Sequence, residues 1–157
     1  MANYNFTLDK IESDKTEHEI GSMLVSYGFD VLDFGNDKRY DLFTRYGYTF
    51  YLFEIKEDFT CQRSGNIGLE FSCRGKLSGI NTSKADYYIY KVHNPTGGID
   101  YLLIKKSTLQ KMINEHVYSR VIVSGDKDSN SKNYLFKYED FKKYSMPLNR
   151  INEIIKS

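Results

Sequence analysis

Glu54 and Lys56 close an apolar run, Phe50, Tyr51, Leu52 and Phe53 leading straight into Glu54-Ile55-Lys56, and Asp41 stands thirteen residues before Glu54. Such a run predicts a central strand covered on both faces. Side chains alternate along a strand, so Glu54 and Lys56 share a face, about 7 Å apart. A charge there is costly unless it is paired or holds a cation. Gly47-Tyr48 separates this strand, predicted over 49–56, from another over 41–46, and a glycine-first pair suits a two-residue hairpin turn. With that turn Tyr46 faces Thr49, and further steps bring Asp41 opposite Glu54, with Cβ atoms about 5 Å apart. Two carboxylates so close repel unless a cation lies between them. Oxygen ligands suit Mg²⁺ or Mn²⁺, and a lysine beside the metal can position a water for attack on a phosphate.

A third acid comes from a predicted helix. Thr16-Glu17-His18-Glu19 reads as a capping box, followed by Ile20, Met23, Leu24 and Tyr27 at helical spacing and by Gly28 as the stop. Glu17 precedes Ile20 by three residues and Leu24 by seven, which places it on the buried stripe, whereas Glu19 has a capping role. Glu17 is the acid expected to join Asp41 and Glu54. Glu70 sits in a strand predicted over 66–72 beside the acidic one. It reads either as a further ligand, as a support to the metal site, or as an ion-pair partner for Arg74. Arg74, Lys76 and Lys84 lie in a glycine-rich, locally basic segment and are candidates to grip phosphates.

The elements around these residues predict one domain over 1–157 with an α/β fold: a mixed central β-sheet flanked by helices. A first strand is expected over 29–34, then a turn at Gly35-Asn36-Asp37-Lys38. Thr82 or Ser83 should cap a short helix past Lys84 and Asp86. Strands follow over 87–92 and 101–104, then a helix opened by Ser107-x-x-Gln110 with Leu109, Met112 and Ile113 on one face. A late hairpin pairs 121–123 with 134–138, and Ile151, Ile154 and Ile155 have helical spacing in the tail.

Composition narrows the classes. With 40% hydrophobic residues and a net charge of +1, the chain is globular, and global charge announces no nucleic-acid binder. No apolar window is long enough to span a membrane, and the first residues lack a signal-peptide pattern. Two cysteines are too few for a disulfide framework, so a cytoplasmic location is the expectation.

The set Glu17, Asp41 and Glu54-Ile55-Lys56, on a helix and two antiparallel strands, resembles the PD-(D/E)xK nuclease superfamily, most closely its archaeal Holliday-junction resolvases and small phage-type endonucleases. The resemblance covers 16–92, with 93–157 completing the domain, and Tyr40 stands where the motif has proline. It implies a restriction-endonuclease-like core and Mg²⁺- or Mn²⁺-dependent hydrolysis of DNA, with branched or junction DNA as substrate. Asp41, Glu54, the Ile55 carbonyl and Glu17 would hold the metal, and Lys56 would orient the water. Junction cleavage would need two sites, hence a homodimer. The alternative is a catalytically inactive nucleic-acid or protein binding module on the same fold, such as a phage accessory or inhibitor protein. Asp126-x-Asp128-x-Asn130 opens like a calcium loop but lacks glycine and glutamate where such a loop needs them, so a solvated hairpin loop is expected. Cys61 and Cys73 have no partners at zinc spacing.

Overall fold

The computed structural model describes residues 2–35, 40–124 and 130–155. Helix α1 (Ala2–Ser26) leads into strands β1 (Asp30–Phe34), β2 (Leu42–Tyr46) and β3 (Thr49–Asp58). A short helix, α2 (Cys61–Ser64), precedes β4 (Asn66–Cys73), β5 (Lys76–Leu77) and a 3₁₀ turn, Gly79–Asn81. Then come β6 (Tyr87–His93), β7 (Ile99–Lys105), α3 (Lys106–Asn114), β8 (Arg120–Ser124) and β9 (Ser131–Lys137). Helix α4 (Tyr138–Tyr144), β10 (Met146–Pro147) and a 3₁₀ helix, Leu148–Glu153, follow.

The expected α/β architecture is present, with a mixed central sheet ordered β1-β2-β3-β6-β7-β10. Only β3 and β6 are parallel neighbours in it. A second, antiparallel sheet, β5-β4-β9-β8, was not foreseen. Parallel strands need a crossover, and here it carries β4 and β5 away from the central sheet. Asp58 at the end of β3 sets that departure: its carboxylate accepts from the Cys61 amide (2.9 Å) and the Gly68 amide (3.0 Å). The strand bearing Glu70 is therefore not beside the one bearing Glu54; it lies in the other sheet.

Strand alternation divides the core in two. Phe53 and Ile55 of β3 and Tyr87 and Ile89 of β6 pack on Ile20 and Leu24 of α1 and on Leu148 and Ile151 near the C-terminus. On the opposite face Tyr88, Tyr90 and Val92 pack with Ile67, Leu69 and Phe136 of the second sheet and Leu109 and Met112 of α3. Strand β6 is thus buried on both sides, as its unbroken Tyr-Tyr-Ile-Tyr run requires.

Several local expectations are corrected. Helix α1 begins long before Thr16, and Thr16 is no cap: its hydroxyl faces β3 and donates to Glu57 Oε1 at 2.5 Å. The helix does stop at Gly28, whose φ of 96° admits the Phe29 amide to the Leu24 carbonyl at 3.0 Å. No helix forms over 82–86, because side chains there bond backbone instead. Ser83 Oγ accepts from the Ala85 amide (3.1 Å), and Asp86 Oδ2 accepts from the Leu52 amide (2.8 Å). Helix α3 starts at Lys106 without a side-chain cap, so Ser107 does not open it. In the tail, the 3₁₀ helix ends at Glu153, and the Ile155 amide then donates to the Ile151 carbonyl (2.9 Å), a turn with Ile151 and Ile155 buried and Ile154 exposed. Positions 36–38 of the turn after Gly35, and 126 and 128 of the loop that resembles a calcium site, lie outside the described residues.

Candidate active site

The hairpin forms in the expected register. Gly47 takes a φ of 63°, Tyr46 pairs with Thr49, and the ladder runs to Leu42–Phe53. It stops one pair short of Asp41–Glu54. There the Asp41 amide donates to the Phe53 carbonyl (2.9 Å), and Asp41 Oδ2 accepts from the Ile55 amide (2.7 Å). The carboxylate is tied to the β3 backbone beside Glu54 rather than set across the ladder from it. Lys56 Nζ lies 3.5 Å from Glu54 Oε1; the Glu54 side chain is 16% exposed and that of Lys56 37%. From α1 the Glu17 carboxyl reaches that of Asp41, and the Ser83 hydroxyl adjoins Glu54.

Charge explains the state of this cluster. Burial raises the pKa of Asp41, opposed by the Ile55 amide, the Lys56 charge and the Glu17 contact. Burial likewise pushes Glu54 up from 4.5 to about 7, and the Asp41 charge adds to it, while Lys56 and Ser83 pull the other way. A hydrogen bond between two carboxyls also needs a proton on one of them. Three acids here adjoin one ion-paired lysine, and the carboxyls of Asp41 and Glu54 are held above the usual range.

Tyr88 completes the surroundings. It lies beside Glu54 in the β3–β6 register and is fully buried. Among the described residues its hydroxyl has no hydrogen-bond partner; Ser83 approaches without reaching bonding geometry. Burial first, then the Glu54 and Asp41 charges, lift this phenol above its usual range. An all-oxygen donor set next to an orphaned buried hydroxyl is chemically suited to a hydrated Mg²⁺ or Mn²⁺. Even so, no three His, Cys, Asp or Glu side chains among the described residues form a ready-made ligand group.

The remaining predicted residues divide. Ile55 enters the site through its amide, and its side chain is buried on the α1 face. Lys84 is exposed and follows Ser83 in sequence. Arg74 and Lys76 are exposed at the turn joining β4 to β5, and no contact brings them to Glu54. Glu70 is not paired with Arg74; its carboxylate accepts from Ser78 (2.9 Å) and Ser131 (3.2 Å). It belongs to the second sheet.

Sequence reasoning missed Ser83, Tyr88 and a second polar cluster on the α1 face. Glu57 accepts from Thr16, meets His93 Nε2 at 2.8 Å and lies 3.8 Å from Lys91 Nζ. Lys91 also lies 3.1 Å from Glu19, which accepts from Tyr101 at 2.7 Å. Lys91-x-His93 repeats the alternation of Glu54-x-Lys56, and that was the available signal. Nothing in the sequence pointed to the Tyr88 hydroxyl.

The chain matches no family model, no curated protein and no solved structure. Among the described residues, no helix is long and apolar enough to cross a membrane.

Proposed function

We propose that the chain is a metal-dependent nuclease that hydrolyses DNA phosphodiester bonds. The observation that carries this reading is the run of neighbouring acids from Glu17 of α1 through Asp41, just before β2, to Glu54 of β3, which ends beside Lys56. Glu17, Asp41 and Glu54 would hold Mg²⁺ or Mn²⁺, with the Ile55 carbonyl as the resemblance implies. The bound cation would offset charge on the phosphate oxygens and acidify a water. Lys56 would orient that water through its ammonium hydrogens. As the water oxygen bonds to phosphorus, the bond to one sugar oxygen breaks, and that oxygen takes a proton. Lys84, next to Ser83, would contact a flanking phosphate, and Arg74 and Lys76 would serve only DNA long enough to reach the second sheet.

Electrostatics supports the choice of partner. A carboxyl raised to about 7, as Glu54 is, is poised to exchange its proton for a divalent cation. The lack of a ready-made ligand group favours a second reading, a binding module on the same fold that does not cut.

A cleavage assay separates the two. Linear duplex, single-stranded, flapped and four-way-junction DNA would be incubated with Mg²⁺, Mn²⁺ or EDTA. We expect metal-dependent cutting, reduced at least about a hundredfold by Glu54→Ala and by Lys56→Ala. DNA binding without cutting under every metal condition sinks the nuclease and leaves the binding module. Preferred cutting of the junction, together with a dimer in sedimentation, would support the junction and homodimer readings.

A further inference from the structure

The face of β3 that bears Glu54 and Lys56 continues outward as an aromatic surface. Phe50 and Leu52 share that face by strand alternation, and Phe43 and Arg45 join it as their cross-strand partners. Phe50 is 56% exposed, and its ring stacks on Phe43 with centroids 5.5 Å apart and planes 25° apart. Tyr40 extends the surface, its ring centroid 6.3 Å from that of Phe43. The polar groups beside the rings are engaged. Arg45 pairs with Asp30 at 2.7 Å, and the Tyr40 hydroxyl donates to Asp33 at 3.0 Å. What this face offers is aromatic surface, most exposed at the Phe50 ring, with the Tyr40 ring tilted 58° to that of Phe43.

We propose that the Tyr40–Phe43–Phe50 surface stacks unpaired bases of a single-stranded DNA segment, next to the phosphodiester held at Glu54 and Lys56. This rests on the nuclease reading and names its substrate class. Strand geometry sets the spacing: Phe50 lies about 14 Å from Glu54 along β3, and Phe43, opposite Leu52, about 7 Å nearer the site. A strand whose phosphate is at Glu54 therefore lays its next base or two over the rings. Stacking on exposed aromatics is the usual way a protein holds single strands without reading sequence. A duplex keeps its base faces stacked inside and gains nothing from such a surface. Lys56 continues the same face beyond Glu54 and supplies the phosphate contact.

The test is equilibrium binding to the full chain in EDTA, where no cutting occurs. Probes are a short single strand carrying 2-aminopurine, a blunt duplex, and the duplex with a single-stranded overhang. The single strand and the overhang should bind about tenfold more tightly than the blunt duplex, with 2-aminopurine quenched on binding. Phe50→Ala should remove about tenfold of that affinity and the quenching, and Phe50→Trp should restore both. Equal affinity for the blunt duplex, or a Phe50→Ala protein that binds and quenches normally, overturns the proposal. A shift in self-association caused by Phe50→Ala also overturns it, because the face would then serve a second copy. Binding that depends on Phe50 in a protein that never cuts refutes the nuclease alone. Cutting that is indifferent to Phe50 refutes the stacking surface alone.

Discussion

Two polar clusters lie on opposite faces of β3, built from the same residue types and in opposite electrostatic condition. On the α1 face, Glu57 and Glu19 share Lys91, and Thr16, His93 and Tyr101 add further hydrogen-bonding groups. Burial would raise the Glu19 carboxyl, but Tyr101 and Lys91 outweigh it and hold its pKa below the usual value. On the other face Glu54 lies beside Lys56, Asp41 is tied to the neighbouring backbone and is met by Glu17 from α1, and Asp41 and Glu54 titrate high. Satisfied charges make a clamp; the under-compensated acids opposite are the ones proposed to hold a cation. The clamp also serves the site, because Thr16 and Glu19 bracket Glu17 on α1 and fix the helix turn that presents it to Asp41.

The comparison is most exposed to the removal of its two lysines. Lys91 is 13% exposed and faces two acids, so Lys91→Ala leaves both without their cation and should cost about 3 kcal/mol. Lys56 is more exposed, and its partner Glu54 is raised to about 7, so Lys56→Ala should cost under about 1 kcal/mol. Urea denaturation at pH 7 reads both numbers. Equal losses would show that the faces do not differ as described.

Next in size is the pH dependence, where the two faces have opposite signs. The folded-state pKa of Glu54 is raised from 4.5 to about 7. Its contribution is therefore complete below 4.5 and lost as pH rises through about 7. Glu19 is lowered, so its contribution is present above the usual carboxylate range and lost as pH falls. Stability without metal should decline between pH 5 and pH 8, and Glu54→Gln should flatten that decline and gain roughly 2 kcal/mol at pH 8. Glu19→Gln should lower stability above the carboxylate range by about 0.5 kcal/mol and leave it unchanged at lower pH, so that the acid limb flattens. Chemical denaturation across pH checks the pair; a decline unaltered by Glu54→Gln would remove the neutral-pH asymmetry between the faces.

Much of the Glu54 face was legible in the sequence, because hairpin register and strand alternation are local rules. Gly47-Tyr48 fixed the pairing of β2 with β3, and the helical stripe placed Glu17 toward the sheet. The failures are non-local. Thr16 and Glu19 resemble a capping box, yet both side chains serve strands far along the chain, Glu57 and Lys91. Glu70 follows an apolar pattern that fits either sheet, and Asp58 decides between them by gripping the Cys61 and Gly68 amides. Ser83 reads as a cap and instead bonds the Ala85 amide. Tyr88 in a buried strand is ordinary in sequence; only the parallel register places its hydroxyl beside Glu54.

Metal binding should sharpen the contrast further. A cation entering beside Glu54, whose carboxyl is raised to about 7, displaces its proton, so affinity for Mn²⁺ should rise with pH between 6 and 8. Isothermal titration in buffers of different ionisation enthalpy should show about one proton released per metal bound at pH 6.5. At saturating metal the protein should gain about 1–2 kcal/mol at pH 7.5. Glu54→Gln should abolish both effects, whereas Glu57→Gln, on the clamp face, should keep proton release after its stability loss is taken into account. Release that persists in Glu54→Gln would place the cation elsewhere.

The smallest expected effect is also the most specific. The Tyr88 hydroxyl is buried with no hydrogen-bond partner among the described residues, so Tyr88→Phe removes a polar atom that the metal-free protein leaves unsatisfied. An unpaired buried hydroxyl costs about 1 kcal/mol or more, so the variant should be as stable as the parent, or up to about 1 kcal/mol more stable. At most buried tyrosines, losing the hydroxyl also loses a bond and destabilises. With Mn²⁺ present the order should invert. A hydroxyl beside Glu54 can donate to the metal's water shell, and its loss should weaken affinity a few-fold, about 0.5–1 kcal/mol. Thermal melts with and without Mn²⁺ report both halves. Destabilisation of the metal-free Tyr88→Phe protein would mean that the hydroxyl is already satisfied by Ser83, and that Tyr88 is a packing residue and no part of the site.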